Sequence, residues 1–321
     1  MTLRTATRIV LAVLATAGFA AILYYNFDLP AIRSLLLGSD PRWLAGGAIA
    51  SITTTLLRAS RLSLVVAGGA SPPLMAASIV HNATTALLPM KLGEFALPLL
   101  LARVGDMRLT EGLGVLLVVR VLDMLALLLV GSLAAWIALA RMPQHAPWAS
   151  MALALSVATV LGVLVMLAGW KTVASGLRDS RLLQRVPFVR RALMAATMAS
   201  PAHLAAAFGL SLAIWACLFL AFYCFWHAIG LDVDVAQAAT IGTAASFAFA
   251  FPISGVANVG PFQAAWTWMA LQFDLPATAS LAASLVSHGG VVIVTAALAA
   301  IASPLILRQR HLPGNGSERP G

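Results

Sequence analysis

The chain has 321 residues, of which 61% are hydrophobic and 10% charged, and its mean hydropathy is +0.93; this balance excludes a soluble domain with a water-facing surface and makes the protein a polytopic membrane protein. A net charge of +9 and a pI near 11.0 invite a nucleic-acid reading, but no aromatic-interleaved basic module is present. The cations cluster between apolar runs, as a membrane-side charge bias requires.

Arg4 and Arg8 precede the apolar run Ile9 to Tyr25. Ala15-Thr16-Ala17 loosely resembles a signal-peptide cleavage site, yet the run exceeds the roughly 7 to 15 residues of a signal core, so an uncleaved anchor is expected. A short loop with Asp28, Arg33, Asp40 and Arg42 leads to a second span, Trp43 to about Ala67. Arg58 and Arg61 lie within it at i, i+3 and share a face, where they either snorkel to an interface or point into a cavity.

His81 to Arg103, HNATTALLPMKLGEFALPLLLAR, sets Lys91 and Glu94 in an otherwise apolar run. An ionisable side chain at membrane depth costs roughly 2.5 to 3.5 kcal/mol, so it usually faces a polar cavity. Pro89 and Gly93 interrupt the backbone at the same place, dividing Leu74 to Leu88 from Phe95 to Arg103. Neither part reaches the roughly 20 residues of a crossing, and the pair reads as a re-entrant broken hairpin lining a cavity. Lys91, Arg58, Arg61 and Arg120 are the cations available to Glu94.

Arg103, Asp106, Arg108 and Glu111 bridge into a third span that ends near Ala140 and carries Arg120 and Asp123 at i, i+3. Those two charges can pair with each other as a purely structural ion pair, or serve the cavity. A fourth span, Ala149 to Trp170, precedes the most basic segment, Lys171 to Arg191; a fifth, Pro201 to Ile229, carries His203 and His227 near its ends. Cys217 and Cys224, in the same span, have neither metal nor redox spacing and read as small packing residues. The last span, Pro276 to about Ile306, is followed by Arg308, Arg310 and a tail, 308–321, expected to be disordered and cytoplasmic. If the hairpin returns to its own side, the basic segments all fall on one face, which places both termini in the cytoplasm.

Val235 to Gln272 holds a second interruption, FPISGVANVGPFQ, with Pro252, Gly255, Gly260 and Pro261 breaking the run and Asn258 and Gln263 supplying polar atoms. Setting Asp106 on Asp274 places Thr110 on Thr278 and Arg120 on His288. The expected fold is therefore an all-α polytopic membrane protein, one integral domain over 1–307, with about six transmembrane helices and two re-entrant hairpins arranged as an inverted repeat. Chance similarity of apolar, Pro/Gly-containing runs is the competing explanation of the repeat.

No hydrolase, nucleotide-binding or metal signature appears in a suitable context, so the reading is of a non-enzyme without cofactors. Arg58, Arg61, Lys91 and Arg120, with Glu94 and Asp123 as counter-charges, Asn82, Asn258 and Gln263 as polar groups and His288 as a proton carrier, suit a phosphate head attached to an apolar tail.

The order Arg58/Arg61, Asn82, Pro89, Gly93-Glu94, Arg120 and Asp123, then Pro252 with a Gly-rich turn to Gly260, resembles the lysylphosphatidylglycerol synthetase transmembrane-region family of flippase-like integral membrane proteins. The resemblance spans about Arg8 to Leu307 and implies a multi-pass inner-membrane protein that translocates or handles a lipid, phospholipid in some relatives and polyprenyl- or hopanoid-related lipid in others. Relatives carry a basic residue where this chain has Leu97, often Glu at Val119, and often Glu at Gln263. These departures imply a changed substrate or reduced activity, and the short tail implies no aminoacyl-transfer domain. The alternative function is a non-catalytic membrane subunit that scaffolds a lipid-modifying enzyme or glycosyltransferase.

Overall fold

The computed structural model describes residues 17, 28–66, 69–89, 91–105, 107–170, 172, 175, 176, 194, 200–249 and 259–308. The expected N-terminal anchor apart from Ala17, most of the basic segment, Asp106, Asn258 and the tail beyond Arg308 lie outside the described residues.

Among the described residues all regular structure is helical. Several helices open the same way, with a short polar side chain accepting a first-turn N–H and a proline just inside the helix. Asp28 caps α1 (Leu29–Leu37), Asp40 caps α2 (Pro41–Val65) and Ser71 caps α3 (Pro72–Leu87). Ser200 later caps α7 in the same manner.

The first break falls where the sequence places it. Beyond α3, Lys91 takes a left-handed conformation (φ 59°), a 3₁₀ turn covers Leu92–Phe95, and α4 runs Ala96–Val104. Gly93 makes this turn possible, because a Cβ there would lie 2.2 Å from the Thr84 carbonyl oxygen of α3. α5 (Leu109–Leu139) follows, its first turn tied by the Arg108 N–H donating to Glu111 Oε2 at 3.0 Å. Next come α6 (Ala146–Ala168), α7 (Pro201–Ala228), α8 (Val235–Phe249), α9 (Pro261–Leu271) and α10 (Ala277–Arg308). α3, α4, α8 and α9 have 16, 9, 15 and 11 residues, each short of a crossing.

Four helices among the described residues are long and apolar enough to cross a membrane: α5, α6 together with the 3₁₀ turn Pro143–His145 before it, α7 and α10. α2, expected as a span, has 25 residues but is not of that set, because Ser51, Thr53, Thr54, Thr55, Arg58 and Arg61 lower its hydropathy. One face of it packs along α7, while Ile49, Ile52 and Leu56 on another face are exposed.

The packing comes in matched sets. α2 meets α7; α3 meets α10 as α8 meets α5; α3–α4 and α4–α5 contacts have counterparts in α8–α9 and α9–α10. At one end of the bundle the Asp40 N–H donates to the Ala228 carbonyl at 2.7 Å, and Arg141 meets Asp234 at 2.7 Å. At another place Ala302 and Ile306 of α10 cluster with Ala76 and Ile79 of α3 and with Leu100 and Val104 of α4. The largest core gathers α5, α7, α8, α9 and α10 around Phe222, Trp226, Phe262 and Trp266.

Candidate functional site

Two connected compartments occupy the middle of this packing. The larger, an open cleft, is walled by α2, α3, α7, α8, α9 and α10. Its polar lining includes Ser51, Thr54, Thr55, Arg58, Asn82, Ser246 and His288; Trp215, Leu218, Phe222, Phe249 and Phe262 form an apolar wall. The smaller, a narrow space, lies among α2, α3, α4 and α5 and includes Arg58, Arg61, His81, Asn82, Arg120 and Asp123 in its lining. Arg58 and Asn82 line both.

The α2 residues reach this place because Ser51, Thr54, Thr55, Arg58 and Arg61 recur at spacings of three and four, which puts them on one helix face. Arg61 is 3% exposed, which rules out the interfacial alternative for it. It grips Asp123, itself 4% exposed, through both terminal nitrogens, with Nη2 to Oδ2 at 3.2 Å, and also donates to Ser211 Oγ at 2.8 Å. Asp123 thus finds its main partner on another helix rather than in Arg120, whose Nη1 is 3.5 Å from Asp123 Oδ2.

Arg120 instead holds Glu94, Nε donating to Oε2 at 2.8 Å with Nη2 on the same oxygen. Among the cations open to Glu94 it is Arg120 that takes the carboxylate. Lys91 turns toward the second broken segment, its Nζ 3.8 Å from the centroid of the Phe249 ring. The Arg58 Nε is buried without a hydrogen-bond partner among the described residues, as is the Asn82 amide nitrogen.

On the facing side, Gln263, 1% exposed, accepts the Gly260 N–H at 2.9 Å and its Nε2 lies 3.0 Å from His288 Nδ1. Arg120 and His288, set on each other by the sequence matching, occupy comparable roles. Each joins the polar residue of its preceding short segment, Glu94 in one case and Gln263 in the other. A carboxylate–guanidinium pair on one side answers an amide–imidazole pair on the other. The Gln263 side chain, bonding back to its own N-cap, satisfies one of the donors at that helix start.

Two participants were not anticipated, His81 and Ser211. His81 is buried in the small compartment with Nδ1 unpartnered among the described residues. An ionisable ring beside Asn82 within an apolar run was the available signal; nothing local marks Ser211, which becomes relevant only because α7 lies against α2. Among the described residues no group of three or more His, Cys, Asp or Glu side chains could hold a metal ion.

The family model for the lysylphosphatidylglycerol synthase TM region matches residues 9–299, a stretch containing every residue of this site. The chain belongs to that family. No curated protein and no solved structure matches it. As a member of the lysylphosphatidylglycerol synthase TM region family it is a multi-pass membrane protein with a lipid-related setting. Leu97 and Val119, where the resemblance leads one to expect charge, are both buried in the lining of the small compartment. That compartment is left with Asp123 as its carboxylate and with Glu94 tied to its Arg120 edge.

Proposed function

We propose that this protein is a non-enzymatic lipid transporter of the inner membrane, moving a lipid with a phosphate head, or a polyprenyl- or hopanoid-type lipid, between leaflets. The observation that carries this reading is the cleft itself. A hydroxyl- and arginine-bearing side faces an aromatic and aliphatic side across the cleft, a chemistry suited to a polar head with an apolar tail attached. Arginine supplies bidentate donors for phosphate oxygens, and the protein carries Arg58 on the hydroxyl-bearing face of α2.

The proposed architecture is six spans with two hairpins returning to their own sides, related as an inverted repeat, both termini cytoplasmic. Matched packing of α2–α5 with α7–α10 supports it, as does the Glu94–Arg120 pair opposite Gln263–His288. The contacts joining Asp40 to Ala228 and Arg141 to Asp234 gather the start of α2 with the ends of α5 and α7, in keeping with a first hairpin entered and left from the far end. Discontinuous segments at corresponding places of two halves are where transporters build substrate sites.

One observation favours a scaffolding subunit instead: both carboxylates of the site are already held by arginines of the same chain. Purified protein in proteoliposomes distinguishes the two. A transporter moves fluorescent phospholipid between leaflets and loses this with Glu94→Gln or Arg120→Ala while keeping its melting temperature within a few degrees of wild type. No lipid movement by well-folded wild-type protein would leave the scaffold reading.

A further inference from the structure

The charges around the cleft do not cancel, and their arrangement bears on which lipid head fits. Four cations, Arg58, Arg61, Lys91 and Arg120, stand against two carboxylates, Glu94 and Asp123. Arg61 closes bidentately on Asp123, and Arg120 closes on Glu94 while reaching Asp123 with its remaining nitrogen. Those two arginines and two carboxylates form a self-neutralised cluster. Arg58 stands outside it, at the junction of the two compartments, with a buried Nε that no described residue accepts from.

The other walls bring no compensating negative charge. The cleft lining contains no aspartate or glutamate among the described residues, and its facing pole is the Gln263–His288 pair, which carries no carboxylate. Hydroxyls around Arg58 already donate along their own helices, Thr54 to Ala50, Thr55 to Ser51 and Ser246 to Gly242, so their protons are taken up. An aromatic cage for a quaternary ammonium is the natural objection, since Phe222, Phe249 and Phe262 line the cleft. But Lys91 already stacks on Phe249, and Phe222 and Phe262 are engaged edge to face with each other at 6.1 Å.

We infer that the cleft selects a head with one uncompensated negative charge, a phosphodiester lacking any ammonium or guanidinium group, over zwitterionic and cationic heads. Arg58 takes the phosphate oxygens, Asn82 donates its free amide beside it, and the acyl or prenyl chain lies along Trp215, Leu218 and Phe222. A cationic group on the head would find Arg58 and Lys91 nearby and no unpaired carboxylate, which disfavours it in a low-dielectric cleft. The inference rests on the cleft being the lipid site of the proposed transporter, but it concerns binding alone and can stand without transport.

The test is competition for lipid bound to the intact protein in nanodiscs, read by native mass spectrometry with phosphatidylglycerol, phosphatidylcholine and phosphatidylethanolamine of matched chains. Wild type should retain phosphatidylglycerol at least about tenfold over the two zwitterions, a difference of about 1.4 kcal/mol. Arg58→Gln should abolish the preference. Asn82→Asp, which is isosteric and sets a carboxylate next to Arg58, should abolish it too while leaving the melting temperature near wild type, so a misfolded Arg58 variant does not decide the matter. sn-Glycerol phosphate, a head without tails, should fail to displace phosphatidylglycerol at equal concentration. Equal retention of all three lipids, a preference surviving both variants, or displacement by glycerol phosphate as effective as by lipid would each overturn the inference. Preferential retention in a protein that moves no lipid across proteoliposomes would sink the transport reading alone; unselective movement would sink the selectivity alone.

Discussion

Asp123→Asn and Arg61→Met remove opposite ends of the same buried ion pair, yet their effects should differ. Breaking a buried pair from one side leaves the other charge uncompensated and typically costs about 3–5 kcal/mol. With asparagine at 123, Arg61 at 3% exposure keeps an amide oxygen and Ser211 Oγ at 2.8 Å as acceptors but loses its counter-charge, and Arg58 lies one turn away on the same face. Nothing in reach offsets that charge, so the full about 3–5 kcal/mol is expected. Removing Arg61 is different, because Asp123 still has Arg120 Nη1 at 3.5 Å. At an effective permittivity of about 20, that separation corresponds to about 5 kcal/mol of attraction before desolvation, enough to hold the loss to about 1–3 kcal/mol. Arg120 need not release Glu94 to do this, since Nε and Nη2 make that bond. The double variant Arg61→Met/Asp123→Leu should recover most of the loss of Asp123→Asn. Unfolding in mixed micelles by titration with a denaturing detergent, followed by circular dichroism, measures all three. Equal losses for the two single variants would show that Arg120 does not act as a reserve partner. A double variant no more stable than Asp123→Asn would show that the pair is not mutually stabilising.

Gly93→Ala should lower stability by about 1–3 kcal/mol, because its Cβ would meet the Thr84 carbonyl at 2.2 Å and either the turn or the end of α3 must move. Gly162→Ala, with nothing within 4 Å, is the near-neutral control in the same melting experiment. His288→Ala should cost about 1–3 kcal/mol by stripping the buried Gln263 amide of its partner, whereas His288→Asn, which keeps a polar partner, should cost less; equal midpoints would discount the bond. Phe249→Leu and Lys91→Met should each cost up to about 2 kcal/mol and be coupled in a double-mutant cycle, since the ammonium sits on that ring; strict additivity would dismiss the contact.

Much of the fold was legible because its signals are local. Pro89 and Gly93 removed a donor and relaxed the chain where α3 gives way to the 3₁₀ turn, and caps such as Ser71-Pro72 mark where helices open. The spans α5, α6, α7 and α10 follow from unbroken apolar length. α2 was recognisable as a helix, while its composition hid how it would be buried: its hydroxyls and arginines face the clefts and α7, a placement set by distant packing.

Most of the residues that converge here were named from sequence, His81 and Ser211 excepted, but their pairing was not. Spacing offered Arg120 to Asp123 three residues away and Lys91 to Glu94 three residues away, and in both cases a partner from another helix prevailed. A charge buried in low dielectric takes the partner with the best hydrogen-bond geometry, and that depends on how helices cross rather than on how residues count. Which cations are neutralised was therefore decided in three dimensions, by α2 lying across α5 and the short α4 segment against it. The sequence alone determined that the protein lives in a membrane and that polar groups gather at two breaks in it. Only the tertiary structure decided that Arg58 lines the cleft with no carboxylate partner among the described residues, because side chains from six helices had to converge before that arrangement could exist.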